Sequence, residues 1–462
     1  MDPRLAATLR DVVGEGGWLD ADAAAERAAA SAKPMAATPV ALVRPRTTAE
    51  VSAVLRACHE AGQPVVAWGG LSGLVHGQDP GPGALALSLE RMNAVEEIDA
   101  VGRTATVQGG VKLQALQEAV EAEGLMFPLD LGARGTATVA GTIATNAGGN
   151  RVLRYGMMRE MVLGLEVVLP GGTVVNALNR LIKNNSGYDL KHLFIGTEGT
   201  LGVITRAVLR LRERPGSHDV AFAALPDFRG VVGLLRTMDR ALGGQLSAFE
   251  VMWRDHYRLV TTPPAAGRPP VPQGHPFYVL VEAHGAHPEG DSARFLEALA
   301  AAHEAGHVLD TAVARSQTER TALWAIRDDV GQVRRFAPYH TFDVSLPIPE
   351  MDRYIAEVHA AFRERWPDGH ASFFGHIADG NLHLLLAPRA PPDPGAARAI
   401  EELVYRPLAR VRGSVSAEHG IGLEKKPYLG ISRTPEEIAL MRLLKRTLDP
   451  RGVLNPGKVV DP

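Results

Sequence analysis

Two histidines, His376 and His383, stand seven residues apart in the stretch HIADGNLH around an Asp379-Gly380 pair. Asp-Gly is a strong signal for a two-residue type I′ hairpin, because both central positions take positive φ. A turn there sets Ala378 against Asn381, Ile377 against Leu382 and His376 against His383. Directly opposed residues on one face have Cβ atoms roughly 4.5–5.5 Å apart, close enough for two imidazoles to share an ion. The flanking SFF and LLL runs make a dry frame in which an unligated histidine pair is costly. A metal needs a third protein ligand, so two hydrogen-bonded histidines in a sheet are an alternative of equal weight. The segment GSVSAEHGIG offers that ligand: Glu418, followed by His419, stands at a strand-to-loop transition between Gly413 and Gly420. Two histidines and a carboxylate suit zinc, or manganese or iron(II), with one position open to substrate. Taken alone, His419 in "EHG" reads more readily, by about two to one, as a helix-start or loop histidine exposed to water.

The elements that must position these groups belong to a chain too long for one core. With 462 residues, 45% of them hydrophobic, two or three domains are expected. Forty-nine Lys and Arg against 52 Asp and Glu leave a net charge of -3, which argues against nucleic acid as a partner. Cys58 is the only cysteine, so there is no intramolecular disulfide, and any metal must take His, Asp or Glu. The first twenty residues lack the basic start and apolar run of a signal peptide, and no window holds 18 consecutive apolar residues. The expectation is a soluble, cytoplasmic protein whose membrane contact is at most peripheral.

From Val40 to about Leu211, short β-rich runs alternate with helical patterns. In TTAEVSAVLRACHEAG, Thr47 precedes Glu50 at capping-box spacing and Gly62 supplies the stop. Three glycine-rich stretches, WGGLSGLVHG, GTIATNAGGN and GTEGTLG, adjoin strand-like runs. None has the G-x-G-x-x-G spacing of a Rossmann fingerprint, and no Walker sequence occurs. One such loop reads as a tight turn; three in one domain suggest backbone N–H groups ringing a pyrophosphate. RERPGSHD breaks the pattern near Pro215, and a new alternation starts at DVAFAALPDF. Beyond it, HTFDVSLP, EMDRYIAEVHAAFRERW, ASFFGHI and NLHLLLA read as strand, helix, strand, strand, an antiparallel sheet backed by helices. The proline-rich TTPPAAGRPPVPQGHP and RAPPDPGAA read as surface loops.

The segments PLDLGARGTATVAGTIATNAGGNRVLRYG and KNNSGYDLKHLFIGTEGTLGVIT resemble the paired flavin-contacting segments of the FAD-linked D-2-hydroxyacid dehydrogenases. That family includes D-lactate dehydrogenases, glycolate oxidase large subunits and D-2-hydroxyglutarate dehydrogenases. The resemblance runs from about Val40 to Lys458. It implies an α+β fold with a vanillyl-alcohol oxidase/PCMH-type FAD-binding domain over residues 1–215 and a substrate domain over 216–410. Residues 411–462 would complete the active site and pack back on the FAD domain. By resemblance, Gly69, Gly70, Leu71, Ser72, Gly73 and Leu74 surround the pyrophosphate. Pro128, Gly132, Thr138, Gly141, Thr145, Asn146 and Gly149 line the flavin and ribityl chain, and Gly199, Gly202 and Ile204 complete the pocket. His76 stands where relatives commonly carry glycine. Leu71 stands where covalently flavinylated cousins carry histidine, so the FAD is expected to be non-covalent.

The resemblance also assigns His376, His383 and Glu418 as metal ligands, zinc first, and His419 as the catalytic base in contact with substrate. Arg327, in LWAIRDDVGQV, matches the arginine that grips the substrate carboxylate, a task suited to its planar fork; the alternative is an exposed helix arginine paired with Asp328 or Glu319. Asn381, on the histidine face, is expected beside the substrate. Enzymes of this family that oxidise D-2-hydroxyglutarate carry lysine, threonine and asparagine at the positions of Thr341, Gly331 and Leu385. A monocarboxylate such as D-lactate is therefore favoured, with His340 or Arg335 as substitute partners for a second carboxylate. The implied reaction is transfer of the C2 hydride to flavin N5, giving a 2-oxo acid. The reduced flavin would pass its electrons to an electron-transfer flavoprotein, a quinone, a cytochrome or oxygen. Other readings stay open: a D-2-hydroxyglutarate dehydrogenase or glycolate oxidase subunit, a non-catalytic flavoprotein subunit, or a flavin-free zinc hydrolase. The oligomeric state, homodimer included, is undetermined.

Overall fold

The computed structural model describes residues 1–389 and 395–462, so residues 390–394 of the expected RAPPDPGAA loop lie outside the described residues. The chain divides into two compact units: residues 1–149, 156–214 and 418–462 form one, and residues 150–155 and 215–417 the other. The return to unit one starts at Glu418 rather than at residue 411. The physical reason is backbone pairing: Ser414 and Ser345 exchange N–H···O bonds of 2.7 and 3.0 Å, and Ala417 N donates to Asp343 O at 3.4 Å.

In unit one, the helix α1 (Thr48–Ala61) ends where its caps dictate. Thr47 Oγ1 accepts from Glu50 N at 3.1 Å, and Gly62 closes the helix in the left-handed region at φ 66°. Its inward stripe of Val51, Val54, Leu55 and Cys58 is fully buried. Burial pushes the Cys58 thiol up to about 12, so it is packing material rather than a nucleophile. The stripe packs on a small sheet of β1 (Trp18–Leu19), β2 (Leu42–Val43), β3 (Val65–Trp68) and β4 (Leu85–Ser88), ordered β1-β2-β4-β3. A second, wholly antiparallel sheet contains β5 (Val95–Asp99), β6 (Thr104–Gln108), β7 (Val162–Val168), β8 (Val174–Ala177) and β9 (Val203–Arg210), ordered β5-β6-β9-β7-β8. The C-terminal return runs beside β3: Val65 N donates to Val453 O and Asn455 N to Val65 O, at 2.8 and 2.7 Å.

Unit two is built on one antiparallel sheet of seven strands. They are β10 (Ser217–Leu225), β11 (Leu246–Trp253), β12 (Phe277–Gly285), β13 (Asp310–Val313), β14 (His340–Ser345), β15 (His370–His376) and β16 (Asn381–Ala387). Their order is β13-β10-β12-β11-β15-β16-β14. The helices α2 (Arg254–Thr261) and α3 (Gln317–Asp328) bury Tyr257, Val260, Leu323 and Ile326 against Phe222, Met252, Tyr278, Phe374 and Leu385 on one face. On the other face Phe342 meets Tyr405 edge-on at 5.5 Å, and His359 of the expected amphipathic helix, now α4 (Met351–Arg365), meets Phe373 at 5.6 Å. Among the described residues, no helix is long and apolar enough to cross a membrane.

The histidine hairpin corrects the expected register. Phe374, not His376, pairs with His383, and the chain turns through a 3-10 segment, Ile377–Asp379, with Gly380 left-handed at φ 92°. The connection is thus longer than two residues. A shift of two along a strand returns a side chain to the same face, so His376 and His383 still share one face as a diagonal pair. Their ring centroids lie 5.2 Å apart at 83°.

Candidate active site

In unit one, six of the expected cofactor residues, Gly69, Thr138, Gly141, Gly199, Gly202 and Ile204, line one cleft together with Trp68. Thr138 caps the helix Val139–Thr145, its Oγ1 accepting from Gly141 N at 3.3 Å, and Asn146 ends it at φ 50°. Thr145 Oγ1 donates back to Gly141 O at 3.1 Å. A Cβ on Gly70 would stand 1.8 Å from Thr136 O, and one on Gly149 1.9 Å from Asp130 O. A Cβ on Gly69 would stand 2.8 Å from Thr138 Oγ1, and one on Gly202 2.5 Å from Val167 Cγ1. Backbone packed this closely leaves N–H groups as the chemical face of the groove, which fits a pyrophosphate-bearing cofactor such as FAD. Gly132 is not pressed in this way, having open space beside it; Pro128 is buried and Leu74 exposed. Leu71 and His76 have φ 56° and 59°. That explains why glycine suits position 76; here the ring is held by Asp79 Oδ2, 3.0 Å from Nδ1. Gly70→Ala therefore overpacks the loop by about 1–3 kcal/mol. At about 1.4 kcal/mol per decade this weakens FAD binding ~5- to 150-fold, read as flavin absorbance per protein.

In unit two, two of the expected residues, His376 and Arg327, come together around one that sequence reasoning missed, Glu250. It is 1% exposed, lies on β11 and pairs in register with His376. Glu250 Oε1 lies 2.6 Å from His376 Nδ1, and Oε2 accepts from Arg327 Nε at 2.8 Å. Arg327 Nη2 lies 3.1 Å from His376 Nε2. A guanidinium has no acceptor, so Nε2 carries the lone pair and Nδ1 the proton. Burial pushes the Glu250 carboxyl up, but His376 and Arg327 outweigh it and hold the group below the ordinary carboxylate value. Arg327 is thus buried, not a surface helix arginine, although its Nη1 also reaches Asp328 Oδ1 at 3.5 Å. The local signal for Glu250 is an acid inside the apolar strand LSAFEVMW.

Phe374 floors this cluster. Arg327 Cζ stands 5.6 Å over its ring, His383 lies 4.7 Å away, and His256 stacks on it at 4.2 Å. Burial depresses His256 to about 3, so it is neutral, and neither ring nitrogen has a partner among the described residues. Asn381 Nδ2 donates to Asp343 Oδ1 at 2.8 Å and Val344 O at 3.0 Å, and its buried Oδ1 has no partner among the described residues. Burial raises Asp379 to about 6. Thr341 and Leu385 pair in register, the first exposed and the second in the apolar cluster, while Gly331 has open space beside it. Arg335 is engaged by Gln332 Oε1 at 2.8 Å and Leu259 O at 3.0 Å.

A second unpredicted cluster, His218, Glu282 and His284, has ligand atoms within 4.8 Å of one another. Glu282 accepts from Arg151 at 2.9 and 3.2 Å, Ser247 at 2.7 Å and Trp324 at 3.0 Å, with His218 Nε2 at 2.8 Å. Arg151 already supplies the cation. Burial opposes ionisation, yet these partners hold Glu282 well below its usual range. The cluster is a saturated ion-pair network.

Glu418 and His419 belong to unit one and follow directly on Ala417; both are partly buried. Gly420 and Gly422, at φ 88° and 52°, turn the chain after them.

Comparison with known proteins extends this picture. Residues 39–178 match the family described as FAD binding domain, and residues 214–459 the one described as FAD linked oxidases, C-terminal domain. A mitochondrial D-2-hydroxyglutarate dehydrogenase of Bos taurus is 42% identical over 420 residues, covering 91% of this chain and 76% of that one. A D-2-hydroxyglutarate dehydrogenase of Xanthomonas citri pv. viticola is 41% identical over 428 residues, covering 92% and 89%. The solved structure of p-cresol methylhydroxylase with substrate bound superposes with a TM-score of 0.78, at 16% identity, over 99% of this chain and 96% of that one. That likeness shows the PCMH-type fold expected above. With both family matches and these relatives, the chain belongs to the FAD-linked D-2-hydroxyacid dehydrogenases, a class of FAD-dependent oxidoreductases.

Proposed function

We propose that this protein oxidises a D-2-hydroxy monocarboxylate, D-lactate or a close analogue, to the 2-oxo acid, with His419 as general base and Arg327 gripping the carboxylate. FAD in the glycine groove supplies the hydride acceptor, and a divalent ion held by His376, His383 and Glu418, zinc before manganese or iron(II), supplies Lewis acidity at the 2-hydroxyl. The observation that carries the reading is the Glu250–His376–Arg327 cluster. Glu250 takes the Nδ1 proton of His376 as a hydrogen bond, which fixes Nε2, 3.1 Å from Arg327 Nη2, as the nitrogen that would hold an ion, as in a carboxylate-oriented metal histidine. Arg327 offers a two-pronged donor in a dry site, where a carboxylate gains most from it. His419 accepts the hydroxyl proton as C–H cleavage proceeds.

A single carboxylate is favoured because Thr341, Gly331 and Leu385 bring no charge to the distal end. The names of the relatives favour a second reading, D-2-hydroxyglutarate. Anaerobic titration with D- and L-lactate, glycolate and D-2-hydroxyglutarate, following flavin bleaching, separates them. D-lactate is expected to bleach the flavin at the lowest concentration, L-lactate not at all, and chelator treatment to abolish bleaching until zinc or manganese returns. Bleaching by D-2-hydroxyglutarate alone would replace the first reading with the second. The acceptor that reoxidises the flavin, an electron-transfer flavoprotein, quinone or cytochrome, is found by adding each to the reduced protein.

A further inference from the structure

Glu198, in GTEG, is a buried acid that neither the cofactor assignment nor the proposed chemistry uses. It is 9% exposed and lines the same cleft as Gly69 and Gly141. Its backbone sits in the left-handed region at φ 53°, uncommon for a residue with a side chain. It is locked there by Glu198 N donating to Ala144 O at 2.8 Å and by Asn455 Nδ2 donating to Glu198 O at 2.6 Å. The carboxylate then faces the loop after His419. Ile421 N donates to Oε1 at 2.6 Å and Gly422 N to Oε2 at 2.8 Å, so one anion answers two consecutive backbone N–H groups. Only glycine allows this approach on the loop side. A Cβ on Gly420 would stand 2.8 Å from Oε1, and one on Gly422 would stand 1.9 Å from Val75 O. Leu423 N donates to that same Val75 O at 3.0 Å, and Val459 N to Gly422 O at 3.1 Å. On the other side of the pair, Ala417 N is held by Asp343 O at 3.4 Å. Glu418 and His419 therefore occupy a stretch whose backbone is anchored before it at Ala417 and after it at Ile421.

We propose that Glu198 is a positioning residue: its buried carboxylate fixes the backbone at Ile421 and Gly422 and so sets the direction in which Glu418 and His419 point. The proposal rests on the reading of His419 as the base. A buried acid that merely closed the loop would affect folding and FAD retention alike and leave the chemistry of each bound flavin untouched. A loosened loop misplaces a base whose rate contribution falls steeply with small displacements, while Arg327 still binds substrate.

The test compares Glu198→Gln, which loses the charge and one acceptor, with Glu198→Asp, which keeps the charge but withdraws it by one methylene. Both are studied in the full chain with added FAD. Three quantities are read: amide hydrogen exchange over residues 415–425, flavin content with thermal midpoint, and the limiting rate and substrate Kd of anaerobic flavin reduction by D-lactate. For Glu198→Gln, exchange at Ile421 and Gly422 is expected to accelerate. The limiting rate per bound flavin should fall ~10- to 100-fold, with the substrate Kd changed less than about threefold and Glu198→Asp intermediate. Unchanged exchange would overturn the proposal, as would a rate per flavin within about twofold of wild type despite faster exchange. Should no 2-hydroxy acid reduce the wild type, the substrate reading fails by itself, and exchange still decides whether Glu198 anchors the loop.

Discussion

With His419 as the proposed base, His419→Ala is expected to lower the limiting rate of flavin reduction about 10²- to 10⁴-fold, with FAD still bound and the visible spectrum unchanged. The size follows from the role. Cleaving the C2–H bond of an alcohol while the hydroxyl keeps its proton leaves a protonated carbonyl, and a positioned imidazole removes that penalty as it develops. FAD retention follows from position: the cleft is lined by residues that include Gly69, Thr138, Gly141, Gly199, Gly202 and Ile204, and His419 is not among them. Stopped-flow bleaching under anaerobic conditions measures the rate, and the substrate dependence of that rate gives Kd separately. With the base removed, the residual rate should climb with pH across the range where the wild type has levelled off. A variant reduced within about threefold of wild type would remove His419 from the proton-transfer step.

Arg327→Met costs about 3–5 kcal/mol of stability, because it breaks a buried ion pair by taking away one partner. Glu250 stays behind, 1% exposed, with only His376 at its other oxygen. The double variant Arg327→Met/Glu250→Gln regains most of that loss, since no bare carboxylate remains buried, yet it still binds the 2-hydroxy acid weakly. Denaturant unfolding of the four members of the cycle, beside substrate Kd, separates the structural from the binding role. The pH dependence carries a sign. In the wild type the folded Glu250 carboxyl lies below its unfolded value. Its contribution to stability is present above the ordinary carboxylate range and is lost as pH falls through the depressed folded value. In Arg327→Met one of the two groups that offset burial is lost, so the folded value is expected to move up. The stability deficit of the variant should then be smallest in acid, where the carboxyl is protonated in both proteins, and grow as pH rises. Equal stability losses for Arg327→Met at acid and neutral pH would contradict this account.

How much of this was legible beforehand depended on how far apart in the chain the cooperating residues lie. Helix α1 was readable because a cap, a periodic stripe and a terminal glycine all fall within sixteen residues, Thr47 to Gly62. The glycine-rich stretches were readable because small residues cluster beside strand-like runs, and the break near Pro215 because periodicity fails there. The histidine face was legible too, but not the pairing on it. Alternation along a strand repeats every two residues, so patterns with His383 opposite His376 or opposite Phe374 look alike. Turn chemistry at Asp379-Gly380 pointed to the shorter loop, and the packing of Phe374 beneath His383 and His256 accompanies the longer one.

By itself, then, the order of residues determined the FAD-binding class and the face shared by His376 and His383, and it singled out Arg327. Tertiary structure alone decided that Glu250 orients His376 from 126 residues away and binds Arg327 across 77, and that Glu198 reaches the loop after His419 across 223. The sequence can mark such an acid, as in LSAFEVMW, but not name its partner. An acid is chosen at positions 250 and 198 for donors that the fold brings to it, and those donors become neighbours only once the sheet and the returning C-terminal segment are in place.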